Sequence, residues 1–366
     1  MDEKGTIKIV KILNCPIENN ANEEITVDLT FDESVNSYRL IGTDIDELFK
    51  NRKISYNEKY SCNALFVVDD RGKKYTLFEC SFWCGIQGMT EYIDFAFSIL
   101  YDEHMDNIND ILFNKVELKM NYKRPLPFNF TINGINVVLT PVYTNNIELT
   151  LSGNQKFEDY EKILWCLSEF ALLCYEDMFF YDTFTLSYNE KQYKYKSFRR
   201  SNNSNLRKKK LITSNRNINI FCSNQLDDFG KLFEKFVQFR EDSGIIFDVF
   251  RSTVYSQSFR EDYPLRLSQT IEGLANFLDI ANTDNKRDSF NSAIQLSLYC
   301  NDYIKEQLPK QSDIKEFATN ITKHRHKFSH VKGKGNYLQG EENEKYAEIL
   351  YSTIRVLIIK HLKGEL

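Results

Sequence analysis

The sequence predicts an α+β protein with a β-rich first half, a mixed middle segment and an all-α C-terminal bundle. Three observations predict it. From residue 5 to about 150, short runs alternate in polarity or are rich in β-branched and aromatic residues. From Leu226 onward, apolar residues recur at the three-and-four spacing of helices over long segments. Between them a helical pattern at 156–178 gives way to the strand-like Phe184-Thr185-Leu186-Ser187-Tyr188 and then to a strongly basic stretch. These shifts place the expected boundaries at 1–150, 151–245 and 246–366.

In the first half, the expected strands are Thr6 to Val10, Glu24 to Thr30, Ala64 to Val68, Tyr75 to Phe78, Val116 to Met120 and Ile135 to Leu139. Asp69-Asp70-Arg71-Gly72 and Asn133-Gly134 carry turn chemistry, and the former predicts a hairpin into Tyr75. His104 is the one histidine of this half, and no nucleophile there has a recognisable base, so a binding or sensing module is expected. In the last third, helices are expected at 226–241, 246–258, 264–281, 288–308, 312–331 and 343–362, with Pro264 and Pro309 marking breaks. Helices of this length on short connections predict an antiparallel bundle.

At 366 residues with 42% hydrophobic content, the chain has material for two or three cores. Forty-seven basic against 52 acidic residues leave a net charge of -5, so a polyanion must be met by a local patch. That patch is expected at 191–216, where ten basic residues occur without an acid. Arg199, Arg200, Arg207, Lys208, Lys209 and Lys210 are its candidate RNA-binding residues, with Tyr193, Tyr195 and Phe198 available for stacking on unpaired bases. The alternative is a solvated loop whose charge only keeps it soluble. The chain has no apolar run of membrane-spanning length, and Met1-Asp2-Glu3-Lys4 lacks the layout of a secretory signal, so a cytoplasmic protein without a membrane partner is expected. The eight cysteines are scattered, with no C-x2-C pair, and are expected to be reduced and mostly buried.

The chemical centre is expected in Lys323-His324-Arg325-His326-Lys327-Phe328-Ser329-His330, which holds three of the five histidines. Ile314, Phe317, Ala318, Ile321 and Phe328 share one helix face, and at about 100° per residue Arg325 falls on that same face. A guanidinium on a packed face needs an acidic or phosphate partner. His326 and His330 lie one turn apart on the other side, and Gly333 and Gly335 end the helix.

Arg325-x4-His330, followed by a glycine-bearing loop and one last helix, resembles the signature of HEPN domains, small helical bundles many of which are ribonucleases. Arg266-Leu267-Ser268-Gln269-Thr270-Ile271-Glu272-Gly273-Leu274 resembles the first core helix of ApeA-like HEPN domains, in which a glutamate faces the later arginine. The order of the first half, a strand, a glycine turn, Tyr75 to Cys80 and later Phe113 to Leu118, is similar to the domain that precedes HEPN in ApeA-type phage-defence proteins. The resemblance implies a HEPN bundle at 246–366 that acts in abortive infection. It also implies Glu272 as the partner of Arg325, transfer RNA as the expected substrate, and a phage-encoded trigger acting on the first half.

Metal-free RNA cleavage uses the substrate's 2′-OH as nucleophile, with a base, an acid and a cation on the phosphorane. No cofactor is expected. Arg325 and His330 are about 140° apart on a regular helix, awkward for one intramolecular site. HEPN relatives set two motifs side by side, so a homodimer or higher oligomer is expected. Arg325 would then position phosphate, His330 would serve as acid or base, and His326 would be a polar auxiliary. Two other readings stand beside this one: a metal site built on His324, His326 and His330, and a catalytically inactive HEPN module that only binds RNA or protein.

Overall fold

The structure, a computed structural model, describes residues 4–13, 25–32, 37–40, 59–69, 71–87, 90–101, 104–105, 107–121, 127–143, 146–176, 178, 183–197, 229–255, 262–280, 289–329, 338 and 340–366. Strands occupy the N-terminal and middle regions and helices the C-terminal region, an α+β arrangement. The chain divides into two units: Met1–Lys162 with Phe180–Asn205, and Ile163–Phe179 with Leu206–Leu366. The separate middle segment expected at 151–245 is therefore shared between them. Composition changes at residue 157 because a strand passes there directly into a helix, and the boundary between the units falls within that helix, after Lys162.

The first unit contains a 12-stranded sheet, antiparallel in every pair. Its strands are β1 (Lys4–Leu13), β2 (Ile25–Asp32), β3 (Ser37–Leu40), β4 (Lys59–Asp69), β5 (Lys74–Gln87), β6 (Thr90–Tyr101), β7 (Leu112–Asn121), β8 (Phe128–Ile132), β9 (Ile135–Tyr143), β10 (Asn146–Lys156), β11 (Thr183–Tyr188) and β12 (Lys191–Ser197). They run in the order β3-β2-β1-β4-β5-β6-β12-β11-β7-β10-β9-β8. β6 pairs with β5 along one edge, and along the other with β3 at residues 93–95 and with β12 at residues 98–100. Strands β1 to β6 thus form a closed circuit, and β12 starts a second run of strands from the far end of β6.

The two expected turns form. Asp69 accepts the backbone N–H groups of Arg71 (3.0 Å) and Lys73 (2.8 Å) and the Tyr75 hydroxyl (2.7 Å), with Gly72 at φ 78°. Asn133 and Gly134, at φ 50° and 76°, join β8 to β9 with the left-handed backbone that a two-residue hairpin requires. Asn189 and Glu190 do the same between β11 and β12 (φ 47° and 65°) without a glycine, which hides that turn in the sequence.

The first turn of helix α1 (Phe157–Tyr175) packs into this unit through Phe157, whose ring meets Phe184 at 5.6 Å and Tyr195 at 4.8 Å. The Tyr160 hydroxyl donates to the Phe113 carbonyl (2.9 Å) and also touches that of Gly153; burial pushes the phenol up to about 12. Gly153 sits where the β7–β10 register shifts, and a β-carbon there would lie 2.7 Å from the Gly134 carbonyl oxygen. Gly153→Ala is expected to destabilise this unit by about 1–3 kcal/mol, read as a lower urea midpoint. An unchanged midpoint would mean that the 133–134 turn moves aside freely.

Among the described residues, the second unit holds the rest of α1 and six further helices: α2 (Phe229–Ser243), α3 (Ile245–Tyr255), α4 (Tyr263–Phe277), α5 (Ser289–Tyr299), α6 (Gln311–Ser329) and α7 (Gly340–Lys363). The expected single helix at 288–308 ends at Tyr299. Asn301 turns extended (φ -96°, ψ 98°), caps Tyr303 N–H at 3.1 Å and starts a 3-10 turn, Asp302–Glu306. Its side chain also donates to Thr353 Oγ1 of α7 at 3.0 Å, a tertiary bond that local periodicity does not show. α4 packs against α3, α5, α6 and α7, while α7 is buried almost all round from Tyr346 to Ile359.

Two arginine–carboxylate clusters stitch this unit. Glu169 of α1, with no exposed surface, accepts from Arg240 (2.8 Å) and Arg251 (2.7 Å), and both guanidiniums also meet Asp248. Burial pushes the Glu169 carboxyl above its ordinary range against the pull of the two arginines. Arg355, in the middle of α7 and also fully buried, donates to the Leu173 carbonyl (2.8 Å) and pairs with Glu176, closing the C-terminal end of α1.

Candidate active site

The site is built by three helices. α4 begins at Tyr263, after Asp262 at the N-cap position, with Pro264 in its first turn, and buries Leu267, Ile271 and Leu274. Glu272 follows Ile271 by one residue and so stands at the edge of that stripe, half-exposed. α6 buries Ile314, Phe317, Ala318 and Ile321 and carries Arg325 one turn beyond Ile321. α5 supplies Phe290, 9% exposed, and is tied to α6 by Asn291 Nδ2 donating to Thr322 Oγ1 at 3.2 Å.

Arg325 Nη1 donates to Glu272 Oε2 at 2.7 Å, and its guanidinium carbon lies 4.2 Å from the centre of the Phe290 ring. The cation is thus fixed by a carboxylate at one edge and an aromatic face beneath. The pair is not sealed: the two side chains keep 31% and 27% of their surface exposed. An arginine deep in the core cannot reach a ligand, whereas this one is held in place and still meets solvent. Lys323 and His326 are exposed and Lys327 is half-buried, so the neighbouring surface of α6 is basic.

The structure therefore brings Glu272 and Arg325 together and leaves His326 exposed beside them. His330 lies outside the described residues, as do Arg199, Arg200, Arg207, Lys208, Lys209 and Lys210. The start of the basic stretch, Lys191 to Lys196, is strand β12 and not loop. Within it Tyr195 is 3% exposed and packed on Phe157 and Phe184, so it is a core residue and not a stacking platform.

His324, which spacing alone puts in a candidate metal set with His326 and His330, is fully buried, and its Nδ1 accepts the Leu338 N–H at 3.2 Å. The signal was in the wheel. His324 lies seven residues beyond Phe317, about 20° from it and on the packed face, whereas His326 is about 200° further round. These two imidazoles do not converge on one point, and no set of three His, Cys, Asp or Glu suited to a metal ion occurs among the described residues. Cys80, Cys166 and Cys174 are buried and Cys300 is half-buried, and none of the four is in a disulfide. No helix of the described residues is long and apolar enough to cross a membrane.

Compared with known proteins, the chain matches no family model, no curated protein and no solved structure.

Proposed function

We propose that the helical unit is a HEPN-type, metal-independent endoribonuclease acting in anti-phage defence. The observation that carries this reading is the Glu272–Arg325 pair, a guanidinium anchored by a carboxylate and the Phe290 ring with part of its surface open to solvent. That is what a phosphate-positioning cation needs: fixed geometry without complete neutralisation or burial. The Arg-x4-His spacing supports the reading, since it puts a titratable imidazole little more than one turn further along the chain.

In this reading Arg325 holds the scissile phosphate and stabilises the charge that develops on the phosphorane. His330 takes the 2′-OH proton or returns one to the leaving 5′-oxygen, and His326 is a polar auxiliary at the exposed side. Glu272 orients Arg325 and touches no substrate. Attack by the 2′-OH gives a 2′,3′-cyclic phosphate and a 5′-OH. A homodimer sets two motifs side by side, so that one copy's His330 serves as base and the other's as acid. The β-rich first half restrains the helical unit until infection, by changing how two copies face each other.

The test is incubation of the purified protein with total transfer RNA in EDTA, followed by end-group analysis. Fragments bearing 2′,3′-cyclic phosphate and 5′-OH are expected, and an absence of metal-independent cleavage overturns the proposal. For the basic stretch, neutralising Lys208, Lys209 and Lys210 together is expected to weaken RNA binding and lower its logarithmic salt slope by about 2–3, without changing turnover at saturating RNA. An unchanged slope would make the stretch a solvated connector.

A further inference from the structure

We infer that His324 is a positioning residue: a neutral imidazole whose Nδ1 lone pair locks α6 against the chain entering α7, and thereby holds Arg325 on Glu272 and Phe290. This deepens the proposed function and rests on it only for the activity measurements.

The inference starts from the hydrogen bond. Leu338 N–H can only donate, so the His324 Nδ1 that meets it at 3.2 Å must be the unprotonated acceptor, and the ring carries its proton on Nε2. Both ends are inside the protein, His324 with no exposed surface and Leu338 with 4%. A polar group buried this way costs free energy unless it is bonded, so the two groups require each other. An aliphatic side chain would fill the same space more cheaply if packing were all that was needed.

Its place in the helix gives the bond its consequence. His324 directly precedes Arg325. The packed face of α6 is already held further back by Phe317, whose ring stacks on Tyr346 of α7 at 4.2 Å, and by Asn320 Nδ2 donating to the Tyr346 hydroxyl at 3.0 Å. Those contacts fix the middle of α6; nearer its end the helix is tied to α5 by Asn291–Thr322 and to α4 by the Arg325–Glu272 pair itself, and helix ends fray. The His324–Leu338 bond extends the docking of α6 to the turn that carries Arg325. Rotation of that turn by one residue's phase, about 100°, would take the guanidinium off the Phe290 face.

The test uses the full chain, labelled with 15N, and two variants. In the wild type, the imidazole 15N shifts should report the Nε2–H tautomer, the Leu338 amide should be protected from exchange, and the Arg325 side-chain resonances should carry the ring-current shift of Phe290. His324→Leu removes the acceptor; Leu338 exchange is expected to rise at least about tenfold, and the Arg325 resonances to move toward those of a free arginine. His324→Asn puts an amide oxygen near the place of Nδ1 and is expected to restore both. With RNA, His324→Leu should lower kcat with KM little changed, and His324→Asn should recover most of it. Unchanged Leu338 exchange or Arg325 shifts in His324→Leu overturn the inference. So does a folded His324→Asn that lacks them, which decides the matter if His324→Leu fails to fold. If the wild type cuts no RNA, the proposed function falls, while the exchange and shift measurements still decide the role of His324.

Discussion

Replacing His330 with alanine is expected to reduce RNA cleavage by about a hundred- to ten-thousand-fold, the usual contribution of a positioned acid or base, with fold and oligomeric state unchanged. Arg325→Ala is expected to inactivate to a similar degree for a different reason, the loss of charge stabilisation on the phosphorane. The two variants should separate in their effect on stability. Placing Arg325 on the packed face predicts some loss of stability when Glu272 is left unpaired. The structure reduces that expectation, because the side chains remain 31% and 27% exposed and water can solvate the orphaned carboxylate. The cost should be about 1 kcal/mol, in the range of exposed pairs. Full cleavage by purified His330→Ala would place the chemistry elsewhere in the chain. A stability loss of several kcal/mol in Arg325→Ala would mean that Glu272 is desolvated in solution.

Glu272→Gln provides the complementary measurement. The amide keeps the size of the side chain and one hydrogen bond to Arg325 but loses the charge that fixes the fork. Cleavage is expected to fall about tenfold, mostly in kcat, since the phosphate is still bound but less well aligned. An unchanged rate would show that Phe290 alone holds the guanidinium.

Much of the helical unit was legible because its helices are amphipathic and their breaks are marked. Pro264 falls in the first turn of α4, and the expected 312–331 and 343–362 differ from α6 and α7 by three residues at most at either end. Phase put Arg325 on the packed face of α6, where a guanidinium needs an acidic or phosphate partner; that Glu272 is this partner was implied by the resemblance of the α4 sequence. The sheet was legible only in parts. Tyr75 to Phe78 marks β5, but the strand continues to Gln87, and β3, β6, β8 and β10 were missed altogether. Acids such as Glu91 and Asp94 interrupt the apolar pattern of β6, and the closure of β3 on β6 joins residues more than fifty apart. No local signal reports such a contact. The same limit hid the return of β11 and β12 to the first unit, because their neighbours are β7 and β6. His324 and Arg355 are a different case: by spacing His324 enters only a candidate metal set and Arg355 carries no motif, whereas a polar residue within an apolar stripe implies a buried partner.

Arg355 is where that implication matters most, and its replacement is expected to be the most destabilising single change in the helical unit. It stands between Ile354 and Val356 in a run of α7 that is buried from Tyr346 to Ile359. The side chain has no exposed surface, while that of Glu176 keeps 11%. Nε donates to the Leu173 carbonyl at 2.8 Å, Nη2 lies 3.5 Å from the Cys174 carbonyl, and Nη1 meets Glu176, which adopts φ 62° just past the end of α1. One guanidinium therefore satisfies the last carbonyls of a buried helix end and neutralises the carboxylate that follows. Burial also pushes the neighbouring Cys174 thiol well above its usual value. Arg355→Met fills much of the volume but leaves Glu176 unpaired and two carbonyls without donors. The expected loss is about 3–5 kcal/mol, against a total of about 5–15 kcal/mol for a typical domain. Arg355→Met combined with Glu176→Gln removes both charges and is expected to recover at least about 1 kcal/mol of that loss. Urea unfolding followed by helical circular dichroism checks both numbers. A single variant within about 1 kcal/mol of wild type would show that water reaches the end of α1, and no recovery in the double variant would assign the loss to the carbonyls rather than to the unpaired carboxylate.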